Sequence, residues 1–236
     1  MPLMTVSNLK KRYFLKEALC GVSMALEPGR IYGLLGPNGS GKTTLLKTIA
    51  GVLQPDGGEI AYPGGAARGT GSKGTVSFLP DMMSFPRSMR VRDAFAFWQD
   101  MYPDFSAQKA DTMMGILDLA PEAPIKRLSM GVQERVALAL VFSRNASVYL
   151  LDEPLGGIDP IGKAKVLDSI ITAQLSDSCI LLSTHLVKDI EAILDGFFII
   201  AGGKIVFEGD CEKIREQSGK TCEQVYLEVF SNAAFN

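Results

Sequence analysis

The 236-residue sequence predicts an α/β fold: a mostly parallel sheet covered by helices, with a small antiparallel β layer beside it and a helical inset. Three observations carry that expectation. Short apolar runs recur at residues 30–35, 147–151 and 179–183, each of strand length and bounded by polar or turn residues. Helical periodicity follows at residues 42–53 and 161–175, and strand–helix–strand alternation builds parallel sheets buried on both faces. A glycine-rich turn, Gly36 to Thr43, sits between the first of these strands and the first helix.

In chain order, residues 4–26 and 59–78 read as short β segments forming the antiparallel layer. Pro- and Gly-rich punctuation falls at 54–58, 62–74 and 202–204. The helical inset spans about 81–127. Within it, residues 90–119 are helical on both sides of a break at Pro103, and Phe95, Phe97, Trp98 and Met101 precede the break. A further helical stretch, 134–144, leads into the strand at 147–151. After the strand at 179–183, a hairpin closed near Gly202-Gly203 leads to one or two short helices within 212–230. There is no internal repeat, so the whole chain reads as one domain, 1–236, whose terminal hairpin and helices start near 204.

Composition excludes several classes. Apolar residues make up 47% and charged residues 21%, which is ordinary for a globular domain with a sizeable core. A net charge of −2 gives no general nucleic-acid footprint, and no nucleic-acid partner is expected. No segment approaches the roughly 20 uninterrupted apolar residues of a membrane span, and the N-terminus lacks a secretory apolar stretch. Cys20, Cys179, Cys211 and Cys222 are scattered without metal-ligand spacing, which reads as reduced, structural cysteines of a cytoplasmic protein.

Gly36-Pro37-Asn38-Gly39-Ser40-Gly41-Lys42-Thr43, followed by Thr44, fits G-x-x-x-x-G-K-[ST]. Its glycines let backbone N–H groups turn inward around phosphate oxygens, and the helix that follows adds its positive end. Lys42 supplies a point charge for the β- and γ-phosphates of a nucleotide, and the Thr43 hydroxyl suits Mg²⁺. The fold is therefore expected to be of the P-loop, RecA-like kind. Asp152-Glu153 leaves a strand at the carboxyl edge of the sheet, where α/β proteins bind ligands. One carboxylate there holds a metal while its neighbour orients and deprotonates water. His185, the only histidine, ends a third strand on the same edge.

These motifs, in this order, resemble the nucleotide-binding domain of ABC transporters over nearly the whole chain. Leu128-Ser129-Met130-Gly131-Val132-Gln133 is similar to that family's signature, and Ser129 with the Gly131 N–H at a helix start is itself an anion site. The resemblance implies that this segment meets the γ-phosphate bound by a second subunit, so that ATP is held between two chains. Asp159 in Gly157-Ile158-Asp159 resembles the acidic residue of the loop through which two sites sense each other. His185 in Ser183-Thr184-His185 resembles the switch histidine, and Tyr13 occupies the place of the aromatic that stacks on adenine. A P-loop kinase or GTPase leaves the signature unexplained, and no Asn-Lys-x-Asp guanine-recognition sequence is present.

Two departures stand out. Met130 and Val132 stand where the common signature has glycine or glutamine. In Phe78-Leu79-Pro80-Asp81, Asp81 replaces the glutamine that in the family touches Mg²⁺ and links nucleotide to membrane subunit; the alternative reading of Asp81 is a solvated N-cap of the inset. Residues 95–105, the Leu-Pro-Asp form and residues 220–230 resemble the branch serving two-component bacterial exporters of drugs and antimicrobial peptides. That implies an ATPase using ATP and Mg²⁺, acting as a homodimer or heterodimer on a separate integral membrane permease, cytoplasmic and peripheral on the inner face of the membrane. The alternative is a non-transport ABC ATPase acting on nucleic acid, ribosomes or Fe–S assembly.

Overall fold

The computed structural model describes residues 1–65 and 74–232. The chain opens with a long hairpin, β1 (Met4–Tyr13) and β2 (Lys16–Leu26), paired antiparallel. Strand β3 (Ile31–Leu35) follows and leads through the glycine-rich turn into α1 (Lys42–Ile49). Next come β4 (Gly57–Ala61) and β5 (Val76–Leu79), then helices α2 (Val91–Met101) and α3 (Ala107–Ile116). Helix α4 (Met130–Phe142) precedes β6 (Val148–Asp152), α5 (Pro160–Ala173), β7 (Cys179–Thr184) and the single turn α6 (Val187–Ile190). A second hairpin, β8 (Gly196–Ala201) and β9 (Lys204–Asp210), leads into α7 (Cys211–Ser218) and α8 (Cys222–Asn232).

Two sheets result. The smaller has the order β2-β1-β4 and is antiparallel throughout. The larger has the order β5-β6-β7-β3-β8-β9, parallel from β5 to β8 and antiparallel only at β9. One sequence expectation is corrected here. Residues 59–78 do not all belong to the antiparallel layer: β4 does, but β5 is the edge strand of the parallel sheet. Val76 and Phe78 pair with Val148 and Leu150 of β6, a partner about seventy residues away that local alternation cannot disclose. Residues 66–73 of that stretch lie outside the described part. The helix expected over 42–53 stops at Ile49, where the chain turns at Gly51 with φ 75°.

The parallel strands of the larger sheet are buried on both faces, and their side chains alternate between two cores, while the antiparallel edge strand β9 is half exposed. Tyr149, Leu151, Ile180, Leu182, Phe197 and Ile199 face the helices of the inset together with α4 and α5. Val148, Leu150, Leu181, Phe198 and Ile200 face α1 and the smaller sheet. This period-2 sorting of continuous apolar runs is what a doubly covered parallel sheet requires. The β8–β9 turn has positive φ at both Gly202 (53°) and Gly203 (74°), the geometry that matches strand twist in a two-residue hairpin. Among the described residues, no helix is long and apolar enough to cross a membrane.

Candidate nucleotide site

Parallel strands put all their carboxyl ends on one edge, and four of them deliver functional side chains there. Strand β3 delivers the turn to Lys42, β6 delivers Asp152 and Glu153, β7 delivers His185, and β5 delivers Asp81. Asp152 pairs in register with Ser183 on the adjacent strand, so the two side chains stand side by side. The Ser183 hydroxyl donates to Asp152 Oδ1 at 2.6 Å, and the Thr43 hydroxyl donates to the same oxygen at 3.2 Å. Asp152 is 1% exposed, and its Oδ2 has no hydrogen-bond partner among the described residues. Burial raises its carboxyl above the ordinary range, opposed by the Ser183 and Thr43 hydrogen bonds. A hard-oxygen pair, Asp152 Oδ2 with the Thr43 hydroxyl, suits a small divalent cation such as Mg²⁺.

Glu153 lies between two nitrogens. Its Oε1 is 3.4 Å from Lys42 Nζ, and its Oε2 is 3.1 Å from His185 Nδ1. Its backbone is left-handed, φ 49°, although it carries a full side chain. Such strain, on the order of 1–3 kcal/mol, persists only where the surroundings fix it. Here the Glu153 N–H donates to both the carbonyl and the hydroxyl of Ser183, 3.1 Å each. Lys42 is 5% exposed and donates to the carbonyls of Gly36 (2.7 Å) and Pro37 (3.3 Å), which holds the turn closed beneath it. Helix α1 starts at Lys42 behind the N-cap Gly41, which offers no side-chain cap, so its first N–H groups are left free for phosphate oxygens.

A cavity of about 410 Å³ opens over this turn. Asn38, Gly39, Gly41, Lys42, Thr43 and Thr44 form its floor, while Tyr13, Asp81 and Glu153 stand around it. Ser40 is buried beneath the floor, and its hydroxyl has no partner among the described residues. Tyr13 is 43% exposed on the rim, whereas Phe14 beside it is fully exposed at the hairpin tip, so neither ring is core. Asp81 caps no helix: α2 starts only at Val91, and its N-cap is Arg90.

Ser129, Gly131 and Asp159 do not line this cavity. Ser129 is the N-cap of α4, its hydroxyl accepting from the Val132 N–H at 3.4 Å. Asp159 is the N-cap of α5, accepting from the Ile161 and Gly162 N–H groups at 3.0 Å, and these bonds hold its carboxyl below the ordinary range. The two caps are neighbours, since Gly131 packs over Ile158 and Gly157.

Two groups escaped sequence reasoning. Ser183 acts through register with Asp152, which no local pattern reveals. Glu134 turns inward on α4, its Oε2 buried without a hydrogen-bond partner among the described residues. It lines a second cavity of about 410 Å³ shared with Asp81, Met82, Met130 and Asp152. Burial, with the Asp81 charge second, pushes its carboxyl up to about 7. The available signal was its position one turn before the apolar Ala137 and Leu138 on the same helical face.

Comparison with known proteins gives this geometry a family. A family model described as ABC transporter matches residues 19–156, more than half of the chain. Nod factor export ATP-binding protein I of Ralstonia nicotianae is 28% identical over 236 residues, covering 95% of this chain and 73% of that protein. Daunorubicin resistance ATP-binding protein DrrA3 of Streptomyces coeruleorubidus is 28% identical over 225 residues, covering 91% and 70%. The fold matches a solved structure of an ATP-binding subunit of an ABC transporter with a TM-score of 0.85 at 23% identity, over 97% of this chain and 99% of that one. With a phosphate-type cradle, a paired acidic strand end and this relationship over its length, the chain belongs to the ABC transporter family of ATP-binding, ATP-hydrolysing subunits.

Proposed function

We propose that the chain hydrolyses MgATP at the β3–α1 turn, as one half of a dimer, to power a separate membrane permease of the export type. The observation that carries the reading is Glu153, held between Lys42 and His185 beside the buried Asp152. Glu153 is the general base: its carboxylate takes a proton from the attacking water, and its left-handed backbone fixes where that carboxylate points. His185 orients Glu153 and reaches toward the γ-phosphate, while Lys42 supplies the counter-charge over the cradle. Thr43 and Asp152, with Asp81 also lining the cavity, would hold Mg²⁺, which when bound would offset the charge developing on the phosphates. Tyr13 supplies the rim on which adenine stacks.

Dimer formation is supported by where the remaining residues lie. Ser129, Gly131 and Asp159 sit together on adjoining helix starts, outside the cavity of their own chain. An exposed serine and backbone N–H at a helix start are an anion site for a neighbour's nucleotide. Export is supported by the relatives named for Nod factor export and daunorubicin resistance. The subunit then works on the inner face of the membrane, peripheral to its permease.

Replacing Glu153 tests the reading. Glu153→Gln should retain ATP binding, slow hydrolysis by roughly 10²–10⁴, and accumulate as an ATP-bound dimer on gel filtration. Wild-type turnover in the purified variant would remove Glu153 as base.

A further inference from the structure

Helices α7 and α8 both begin with a cysteine. Cys211 and Cys222 meet inside the fold with their sulfurs 3.0 Å apart, and they are only 4% and 2% exposed. A disulfide bond is about 2.05 Å long, so about 1 Å of approach separates this contact from a covalent link. Buried free cysteines usually serve as small apolar residues. Here the pair has features that packing does not need. Each sulfur sits in the first turn of its helix; at Cys222 the helix dipole favours a thiolate, whereas the Cys222 contact and burial raise the Cys211 thiol and keep it protonated. The two sulfurs are hydrogen-bonded to each other, and the contact with Cys211 holds the Cys222 thiol below its ordinary value. Cys179 is the contrast: it has no such sulfur neighbour among the described residues, and burial pushes its thiol up to about 12.

We propose that Cys211 and Cys222 are a redox pair which a peroxide converts into an intramolecular disulfide that fastens α7 to α8. The Cys222 thiolate attacks one oxygen of hydrogen peroxide; the O–O bond breaks, hydroxide leaves, and Cys222 becomes a sulfenic acid. The Cys211 sulfur then attacks the Cys222 sulfur, the S–O bond breaks, and water leaves with the Cys211 proton and the hydroxyl group. Two thiols are oxidised by two electrons, and one peroxide is reduced to two waters. A water-sized oxidant suits a pair this deeply buried. The Cys222 N–H donates to Glu191 at 2.9 Å, and Asp210, which caps α7, pairs with Arg30 at the root of β3 at 2.5 Å. The link would therefore tie the last two helices to the base of the main sheet.

The test treats the reduced full-length chain with hydrogen peroxide, alkylates remaining thiols in denaturant, and maps peptides without reductant. The expected result is one linked peptide pair, Cys211 to Cys222, lighter by two hydrogens and reversed by dithiothreitol. Two of the four thiols should disappear. The thermal midpoint should rise by about 5 °C in the oxidised wild type but not in Cys222→Ser. In Cys211→Ser, dimedone should trap a sulfenic acid on Cys222. Four free thiols after treatment, sulfinic acid at either position instead of the link, or a link that recruits Cys20 would overturn the proposal.

Discussion

Asp81 stands where the wider family resemblance implies a glutamine, and its surroundings sharpen what a carboxylate does there. It stands at the junction of both cavities, where burial raises the carboxyls of Asp152 and Glu134 and the Asp81 charge adds to that effect. A carboxylate so placed repels the γ-phosphate unless a cation lies between them, which an amide does not do. ATP affinity should therefore fall more steeply with decreasing Mg²⁺ in the wild type than in Asp81→Gln. Titrating a fluorescent ATP analogue at several Mg²⁺ concentrations measures this, and superimposable curves would remove Asp81 from the metal site. At this scale the sequence was most legible where chemistry is encoded by local spacing. Lys42 and Thr43 follow the glycines directly, and Glu153 adjoins Asp152. It was least legible for Ser183, whose hydroxyl matters only because β6 and β7 pair in one particular register.

Helices α4 and α5 carry their first residues to a place outside the cavity over the glycine-rich turn. Both start with a capping side chain, Ser129 and Asp159, and the glycine contact over Ile158 holds the two starts together. A bulky cation at Ser129 would lose the Val132 cap, at a cost of about 1 kcal/mol, and would fill the anion site proposed for a neighbour's nucleotide. Ser129→Arg should thus bind ATP as a monomer nearly as wild type does, yet fail to dimerise or turn over. Equilibrium binding alongside light scattering separates the two effects, and lost monomer binding would place Ser129 in its own chain's site. Both caps were readable as helix starts. The edge position of β5 was not, because its partner strand lies far along the chain and its own four residues carry too little pattern to choose a sheet.

Across the whole molecule, burial of titratable groups links stability to pH. The Glu134 carboxyl is raised from 4.5 to about 7 in the folded chain, so between those values the native state keeps a proton that the unfolded chain has released. Stability from this group is full below pH 4.5 and is lost as pH rises toward 7. Glu134→Gln removes that loss. Because Glu134 is partly exposed, solvent screening reduces the gain to about 1 kcal/mol at pH 8. Urea unfolding at pH 8 should show the variant more stable, with the gap closing by pH 4.5; an equal gap at both would point to a packing effect. A different consequence follows from the Ala18 carbonyl, where the two sheets and the glycine-rich turn meet. A side chain at Gly41 or Gly203 would come within 2.8 and 2.7 Å of that oxygen. Glycine has no smaller substitute, so every replacement by another residue at these positions adds bulk to a joint that has no slack. Lineages descending from this chain are free to lengthen the hairpins or repaint their tips, but at this joint drift has nowhere to go.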